Sequence, residues 1–422
     1  MNTLVLTLSY LFITSLGLAQ TSRVDLQTAI QLGLTNSHRI KAAKRSLEIA
    51  RMNTSDAGAK FRPNLYISSS AAGSGTIGST EHSQTNSLGL NINQNIYNNG
   101  RDEAALDLAK GSVDLAKIDL EEADSNLKLD ITTSFFTVSK QAALIGMEAR
   151  KNKTIQKQFT STEKSYKAGL TSKTDYLLLR NQKKLSELSL KRSEQELLGA
   201  KRRLKLLMGL SANANLDFTE INPETTPYKE FNPPPINLNN TFAIKKQNIQ
   251  LELSGINLDL AKKYIWPEFT IGANAGITGS NSNADNWTSL TTNQTWSLSF
   301  NMNYPLWDHG TTRRILRKAL LTAEGVEENR LEQFRQTEKE MIDLVEELHK
   351  GQEELQILIE LLTGETQSFA LISEKYRKGQ LSFLDFEKSL SSLFSAKTSY
   401  ISTFFNLLQL KARIIHYWGI KE

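Results

Sequence analysis

The chain has 422 residues, 39% hydrophobic and 23% charged, which is enough apolar material for a buried core and is not the composition of a disordered protein. Its 50 basic and 45 acidic residues leave a formal charge of +5 with no Lys/Arg block, so nothing marks it for nucleic acid. It has no cysteine, which excludes disulfides, thiolate metal sites and cysteine nucleophiles.

Residues 1–19 carry no charge, and their apolar run is the length of a signal-peptide core, too short for a comfortable membrane span of about 20 residues. With the small residues Gly17 and Ala19 they read as an export signal, putting Gln20 at the mature N-terminus; the alternative is a permanent N-terminal anchor. No later segment approaches an apolar spanning helix, so insertion into a membrane would have to use strands.

One helix is expected from about Asp25 to Pro63, with Leu26, Ile30, Leu34, Ile40 and Leu47 as its apolar positions and the proline as its stop. Strands are predicted at about 64–74 and 87–97, where Leu88, Leu90 and Ile92 alternate with Gly89, Asn91 and Asn93. Residues 101–165 read as one helix, which at ~1.5 Å per residue would extend roughly 100 Å. The YKAGLTSKTDY stretch at 166–176 turns it into a return helix at 173–208, and the proline-rich segment 211–240 reads as a linker.

The pattern then repeats. Gly100 and Gly310, Tyr166-Lys-Ala-Gly169 and Tyr376-Arg-Lys-Gly379, and Met208-Gly209 and Trp418-Gly419 all stand 210 apart, whereas Pro63 and Pro267 stand 204 apart, so the two copies differ in length inside a polar loop. The first copy spans 20–210 and the second 241–422, with strands at 267–278 and 294–305 and helices at 312–375 and 382–418.

The strands are roughly 9 to 11 residues long, the length that crosses a bilayer at a tilt. Aromatics (Tyr66, Tyr97, Trp266, Trp296, Tyr304, Trp307) cluster near their ends as an interfacial girdle would. A soluble sandwich also alternates, but here the polar face is Ser, Asn, Thr and Gly with almost no charge, suited to line water. Four strands cannot close a barrel, so any barrel must be shared between chains.

No catalytic constellation stands out. His38, His82, His309, His349 and His416 are scattered and read as surface or loop histidines, without a pair at ligand spacing. The pattern Gly73-x-Gly75-x-x-Gly78 opens no helix and reads as a loop between strands rather than a dinucleotide site, and Glu346, Glu347, Glu353 and Glu354 read as helix-surface charge.

Long paired helices, four strands, an export signal and this duplication resemble the TolC-like outer membrane efflux family over essentially the whole mature chain. The resemblance is carried by LQTAIQLGLTNSHRI at 26–40, AKFRPNL at 59–65, QNIYNNG at 94–100, YPLWDHG at 304–310, YKAGLTSKTDY at 166–176 and YRKGQLSFLDF at 376–386. It implies a mainly α protein with a small β part, built as a duplicated helix–strand–strand–long helix–helix unit. Three copies would form a 12-stranded outer-membrane barrel continued by a periplasmic helical tunnel. It implies an exit channel, not an enzyme, without cofactor, metal or nucleic acid. Its partners would be a periplasmic adaptor, an inner-membrane pump of RND, ABC or MFS type, and outer-membrane lipid.

By position, Gly169, Leu170, Thr171 and Gly379 match the family's periplasmic tip and adaptor-docking turns, and Asp175, Tyr376 and Asp385 its constriction. Gly100 and Gly310 are the strand-to-helix corners; Tyr97, Trp296, Tyr304 and Trp307 would lie at the membrane interfaces, Tyr97 and Trp307 at the periplasmic one. Leu381 and Lys388 stand where the archetype has an arginine and a second aspartate, which puts its ionic lock and double acidic ring in question here. Asp175 and Asp385 also read simply as charges near a helix N-terminus. The competing function is a secreted or periplasmic coiled-coil scaffold or adhesion protein with a small β head.

Overall fold

A computed structural model describes residues 23–75, 77, 82–281 and 291–419; the expected signal at 1–19 and Gly78 of the glycine pattern lie outside these. The chain forms two compact units. One comprises Met1–Ser37, Leu127–Phe231 and Leu348–Ala412, and the other His38–Asn126, Asn232–Glu347 and Arg413–Glu422. Two helices of 67 residues, α3 (Arg101–Lys167) and α6 (Thr311–Arg377), contribute a stretch to each unit.

In the first unit, α3 and α6 turn back as α4 (Lys173–Leu207) and α7 (Phe383–Trp418), the last few residues of α7 belonging to the second unit. Ile131, Phe135, Met147, Ile155, Leu179, Leu204, Leu390, Phe404 and Phe405 are buried there, as the apolar stripes of these helices require. The N-terminal helix is shorter than its sequence suggests. α1 (Leu26–Asn36) stops at Ser37, and α2 (His38–Ala59) starts afresh in the other unit. Neither proline nor glycine marks the break. Ser37 is buried, its N–H donates to the Gly33 carbonyl, and the Asn36 backbone lies so near Gly209 that a Cβ there would come within 3.0 Å of it.

The expected linker is packed rather than loose. β1 (Arg23–Val24) pairs in parallel with β4 (Asp217–Phe218), and Phe218 is buried with its ring edge-on to Phe135 at 6.4 Å. Tyr228 packs edge-on against Phe404, and Gln352 Nε2 donates to the Phe231 carbonyl at 3.1 Å. In the second unit, Trp418 Nε1 donates to the Pro234 carbonyl at 2.9 Å.

The second unit holds β2 (Asn64–Gly75), β3 (His82–Tyr97), β5 (Glu268–Asn281) and β6 (Thr291–Asn303), with α5 (Phe242–Lys263). β3 starts earlier than hydropathy suggests because its first residues, HSQTN, are polar on both faces. Gly73 and Gly75 belong to β2 rather than to a loop. The order is β2-β3-β5-β6, antiparallel throughout, and among the described residues β2 and β6 each have a strand on one side only.

The register sorts side chains into two faces. The rows Leu65–Ile92–Ala273–Leu298 and Ile67–Leu90–Ala275–Trp296 lie on one face, with Ile271 and Phe300 beside them; the rows Tyr66–Asn91–Asn274–Ser297 and Ser68–Gly89–Gly276–Thr295 lie on the other. Asn274 Nδ2 donates to Asn91 Oδ1 (2.6 Å), and Asn91 Nδ2 donates to Ser68 Oγ (2.7 Å), a polar ladder across three strands. Tyr66, grouped by sequence with the girdle aromatics, stands on this polar face. His416, expected at a surface, is half-buried, with Nδ1 2.8 Å from Ser125 Oγ and its ring against Phe242 and Tyr417.

Candidate functional site

Two kinds of place carry the residues that the sequence singles out: the turns of the helical hairpins in the first unit and the strand-to-helix corners in the second.

At the first hairpin turn Gly169 has φ +74°, its N–H donates to the Tyr166 carbonyl and the Leu170 N–H reaches back to the Ser165 carbonyl at 2.8 Å. Gly379 (φ +75°) does the same with Tyr376, and Gln380 with Lys375. These paired bonds end a helix in the left-handed glycine cap and satisfy its last carbonyls. The return helices start with a serine cap: Ser172 Oγ accepts from the Asp175 N–H (3.0 Å), and Ser382 Oγ from the Asp385 N–H (3.2 Å). Each serine hydroxyl donates to the carboxylate of the same aspartate, at 2.9 Å for Asp175 and 2.6 Å for Asp385. Asp385 also accepts from the Ser382 N–H at 3.3 Å, completing a capping box, while Asp175 is held by the Ser172 hydroxyl alone, and in both hairpins a negative charge meets the positive helix end.

Aromatic side chains clasp each hairpin just inside its turn. Tyr166 stacks on Tyr176 with centroids 4.8 Å apart, and Phe159 lies 5.8 Å from Tyr176. Tyr376 stacks on Phe386 at 4.8 Å, with Phe369 5.7 Å from Phe386. All three positions of one clasp stand 210 residues from their counterparts in the other. Phe159 and Phe369 were missed by sequence reasoning, although a search for aromatics at the duplication offset finds them. The turns differ in what they present to solvent: Leu170 is 81% exposed in the first, whereas the second shows Gln380 and Leu384. Thr171 is half-buried, and so is Leu381, while Lys388 is exposed. Gln182 Nε2 on α4 reaches Glu387 Oε1 on α7 at 3.5 Å.

At the corners the chain runs through two successive left-handed residues, Asn99 (φ 57°) with Gly100 (φ 73°), and His309 (φ 53°) with Gly310 (φ 77°). Asn and His are among the few residues with a side chain that accept this region, which explains why NNG and DHG precede the long helices. The residue before each pair caps the helix, a role the sequence reading overlooked. Asn98 Oδ1 accepts from the Arg101 N–H at 3.1 Å, and Asp308 accepts from the Gly310 and Thr312 N–H groups and from Thr312 Oγ1. Donation by the Thr312 hydroxyl, and then by its N–H, holds the Asp308 carboxyl below the usual carboxylate range.

The two corners differ in their neighbours. Arg101 pairs with Glu268 at 2.8 Å and lies over the Tyr264 ring, and Lys263 Nζ donates to the Gly100 carbonyl at 3.0 Å. The other corner uses its own residues, with Arg314 Nη1 donating to the His309 carbonyl and Trp307 Nε1 lying 3.3 Å from His309 Nδ1. Tyr97, Tyr304 and Trp307 are exposed near the sheet end that these corners adjoin. Trp296, 82% exposed, is the last apolar residue of β6 toward the far end, where Gln294 follows it on the same face.

Among the described residues no three His, Asp or Glu side chains are grouped to hold a metal ion, and no helix is long and apolar enough to cross a membrane.

A sequence model of the family described as outer membrane efflux protein matches residues 29–210 and 235–419. Among solved structures, the CmeC outer membrane channel of Campylobacter jejuni superposes with TM-score 0.82 at 14% identity, covering 93% of this chain and 85% of that one. The outer membrane protein VceC of Vibrio cholerae gives 0.78 at 17% identity over 93% and 96% of the two chains. The MtrE outer membrane channel of Neisseria gonorrhoeae, in its open state, gives 0.78 at 14% over 93% and 88%. At such identities the likeness is one of fold. No curated protein matches the sequence.

Proposed function

We propose, since the chain belongs to the outer membrane efflux protein family, that three copies close a barrel of twelve strands in the outer membrane and continue it into the periplasm as a tunnel of helices. It is an outer-membrane protein and not an enzyme. In this reading it conducts substrates passively, receiving them from an inner-membrane pump of RND, ABC or MFS type through a periplasmic adaptor, in an efflux or type I secretion machine.

The observation that carries this reading is the sheet: apolar on one face, polar on the other with Glu268, beside the corner, as its charged residue, and, among the described residues, paired on one side only along both edges. Leu65, Ile67, Leu88, Leu90, Ile92, Ile271, Ile277, Leu298, Phe300 and Met302 are between 37% and 73% exposed on the apolar face. At 1.5–3 kcal/mol for fully burying each, leaving them about half exposed to water forgoes about 10 kcal/mol, as much as the net stability of many domains. Lipid removes that cost. From Phe269 to Ile277 a strand rises about 26 Å along its axis, or roughly 20 Å in height at barrel tilt, close to the apolar band of an outer-membrane barrel. A scaffold with a β head in water leaves the same face bare.

Open edges are tolerable in water and very costly in hydrocarbon, where every unmet N–H or C=O loses its partner. Four strands are too few to close on themselves, so neighbouring copies supply the missing pairs. Tyr97, Tyr304 and Trp307 then lie at the periplasmic interface and Trp296 at the outer one. The turns at Gly169, Leu170, Thr171 and Gly379 are the docking surface for the adaptor, with Leu170 as its apolar contact. Asp175, Tyr376 and Asp385 line the constriction, and threefold copies of Asp385 concentrate cations within a Debye length of about 10 Å at 0.1 M salt.

The test is mass and leakage. Purified in detergent, the protein should weigh three chains and fall to one on heating; a deletion strain should accumulate dyes or antibiotics that the parent expels. A monomer soluble without detergent would instead favour the scaffold.

A further inference from the structure

The packed linker and the two helices it crosses border a cavity that the channel reading leaves without a role. It lies wholly in the first unit, measures about 390 Å³, and has residues 223–230 on one side and α6 and α7 on the other. That volume is in the range of small-molecule sites. Leu355 and Ile359 of α6 form apolar wall, and Tyr228 and Tyr400 bring phenol rings to it.

The polar groups of this cavity are held in place. Tyr400 Oη donates to the Pro223 carbonyl at 3.1 Å. Gln352, nine-tenths buried in the cavity wall, directs its Nε2 to the Phe231 carbonyl at 3.1 Å and the Tyr228 hydroxyl at 3.4 Å. A carbonyl accepts only from a donor, so the amide orientation is fixed and Oε1 is left over, without a partner among the described residues. An acceptor on so buried a side chain calls for a donor from within the cavity. Glu224 is paired with Arg150 at 2.9 Å, whereas Glu230 makes no ion pair among the described residues. Burial pushes both phenols up, outweighing the Gln352 hydrogen bond at Tyr228, and Glu230 adds to it at Tyr228 as Glu224 does at Tyr400. Each ring is therefore neutral and stands in the field of a carboxylate.

The duplicated fold does not require these groups. At the repeat offset of 210, Gln352, Gln356 and Tyr400 correspond to Ala142, Gly146 and Leu190, so the polar lining belongs to this place and not to the hairpin as such. We propose that the cavity binds an organic primary amine with an aromatic body, its ammonium on Gln352 Oε1 and Glu230 and its ring between Leu355, Ile359 and the two phenols. Acceptors without donors, a free carboxylate and aromatic faces select a cation over an anion. The site lies within one chain and does not depend on the trimeric reading.

Fluorine NMR titration of the full-length protein in detergent tests this, with para-fluorobenzylamine, para-fluorobenzyl alcohol and para-fluorobenzoate as probes. Ile359→Trp, at an exposed position, fills the cavity from its open side and supplies the micelle background. Above that background the amine should saturate, the alcohol should bind about tenfold more weakly for want of charge-assisted hydrogen bonds, and the benzoate should not bind. Glu230→Gln should weaken the amine about fivefold and leave the alcohol unchanged. Gln352→Met, of similar volume without the acceptor, should weaken both, and Glu360→Gln, outside the cavity, should weaken neither. Thermal melting shows that each variant is folded. Equal amine binding by the parent and Ile359→Trp overturns the site, equal binding of amine and alcohol overturns the ammonium, and unchanged amine binding in Glu230→Gln overturns its carboxylate partner. N-acetyl-lysine methylamide binding as tightly as the benzylamine overturns the aromatic body and assigns the cavity to a lysine side chain.

Discussion

Gly276 gives the sharpest test of how the sheet is packed. A Cβ at this position would stand 2.6 Å from the Leu88 carbonyl oxygen and 3.0 Å from the Gly89 Cα, both backbone atoms of the neighbouring strand. Ordinary contact begins at 3.4 Å, so Gly276→Ala asks β3 to withdraw by about 0.8 Å (3.4 − 2.6). A strand cannot yield there without stretching its ladder. Two weakened backbone bonds at about 1 kcal/mol each, with some overpacking strain, give a loss of about 2–3 kcal/mol. Two other glycines calibrate this. At Gly272 the added Cβ meets the Ser299 hydroxyl at 2.8 Å, a side-chain end that can rotate, so Gly272→Ala should cost under about 1 kcal/mol. Gly255, exposed in the middle of α5, has nothing within 4 Å, and Gly255→Ala should gain up to about 1 kcal/mol from helix propensity. Urea titration in a fixed detergent, followed by circular dichroism, ranks the three. Should Gly276→Ala prove as stable as Gly272→Ala, the account of β3 and β5 as closely apposed at their glycines is wrong.

Four further outcomes follow from the turns and corners. Ser382→Ala removes the acceptor for the Asp385 N–H and should cost about 1 kcal/mol in the same titration; Asp385→Asn keeps that bond but should lower cation preference in planar-bilayer conductance at 0.1 M salt, with the difference fading at 1 M as the Debye length shrinks from about 10 to about 3 Å. A double-mutant cycle on Tyr376→Ala and Phe386→Ala should give a coupling of about 0.5–1.5 kcal/mol for rings stacked at 4.8 Å, and a coupling near zero would deny the clasp. Asp308 has its pKa depressed from 3.8 by hydrogen bonds from Thr312, so its contribution to stability is present above pH ~3.8 and lost as pH falls through the lower folded value. The urea midpoint of the parent should therefore drop further between pH 5 and pH 3 than that of Asp308→Asn, and equal drops would remove the capping role.

What the sequence shows and hides divides along a physical line. Period-two alternation exposes β5 and the end of β3 because one face is apolar and the other is not. The start of β3, all Ser, Gln, Thr and Asn, has no contrast to read, and only pairing with β2 defines it. The glycines at 100, 169, 310 and 379 are visible because left-handed backbone needs them, and their spacing exposes the duplication. The break at Ser37 is not visible, since it is held by the approach of Gly209 from far along the chain. Proline content marks 211–240 as irregular, but not that Phe218 buries its ring and Tyr228 packs its ring half-buried, because packing partners such as Phe135 and Phe404 leave no local trace. Asp175 and Asp385 were legible as acidic positions; that each carboxylate is engaged by a serine three residues earlier follows from the S-x-x-D spacing, a capping-box signal that went unused.

The two corners show what duplication does when one motif meets two surroundings. Both turn a strand into a helix through two left-handed residues, so the backbone requirement is the same. At Gly100 the strand lies inside the sheet, and the adjoining end of α5 and start of β5 supply Lys263 to the Gly100 carbonyl and Glu268 to Arg101. At Gly310 the strand is an edge with no such neighbour among the described residues, and the helix start is satisfied locally: where the first corner has Asn98 this one has Asp308, whose carboxylate accepts three hydrogen bonds, and Arg314 folds back onto the His309 carbonyl. A carboxylate at a helix N-terminus binds N–H groups more strongly than an amide does. The edge corner is thus hydrogen-bonded by its own residues. In the trimeric reading proposed above, an edge strand already held at its base is joined at lower entropic cost than one that must be ordered on joining.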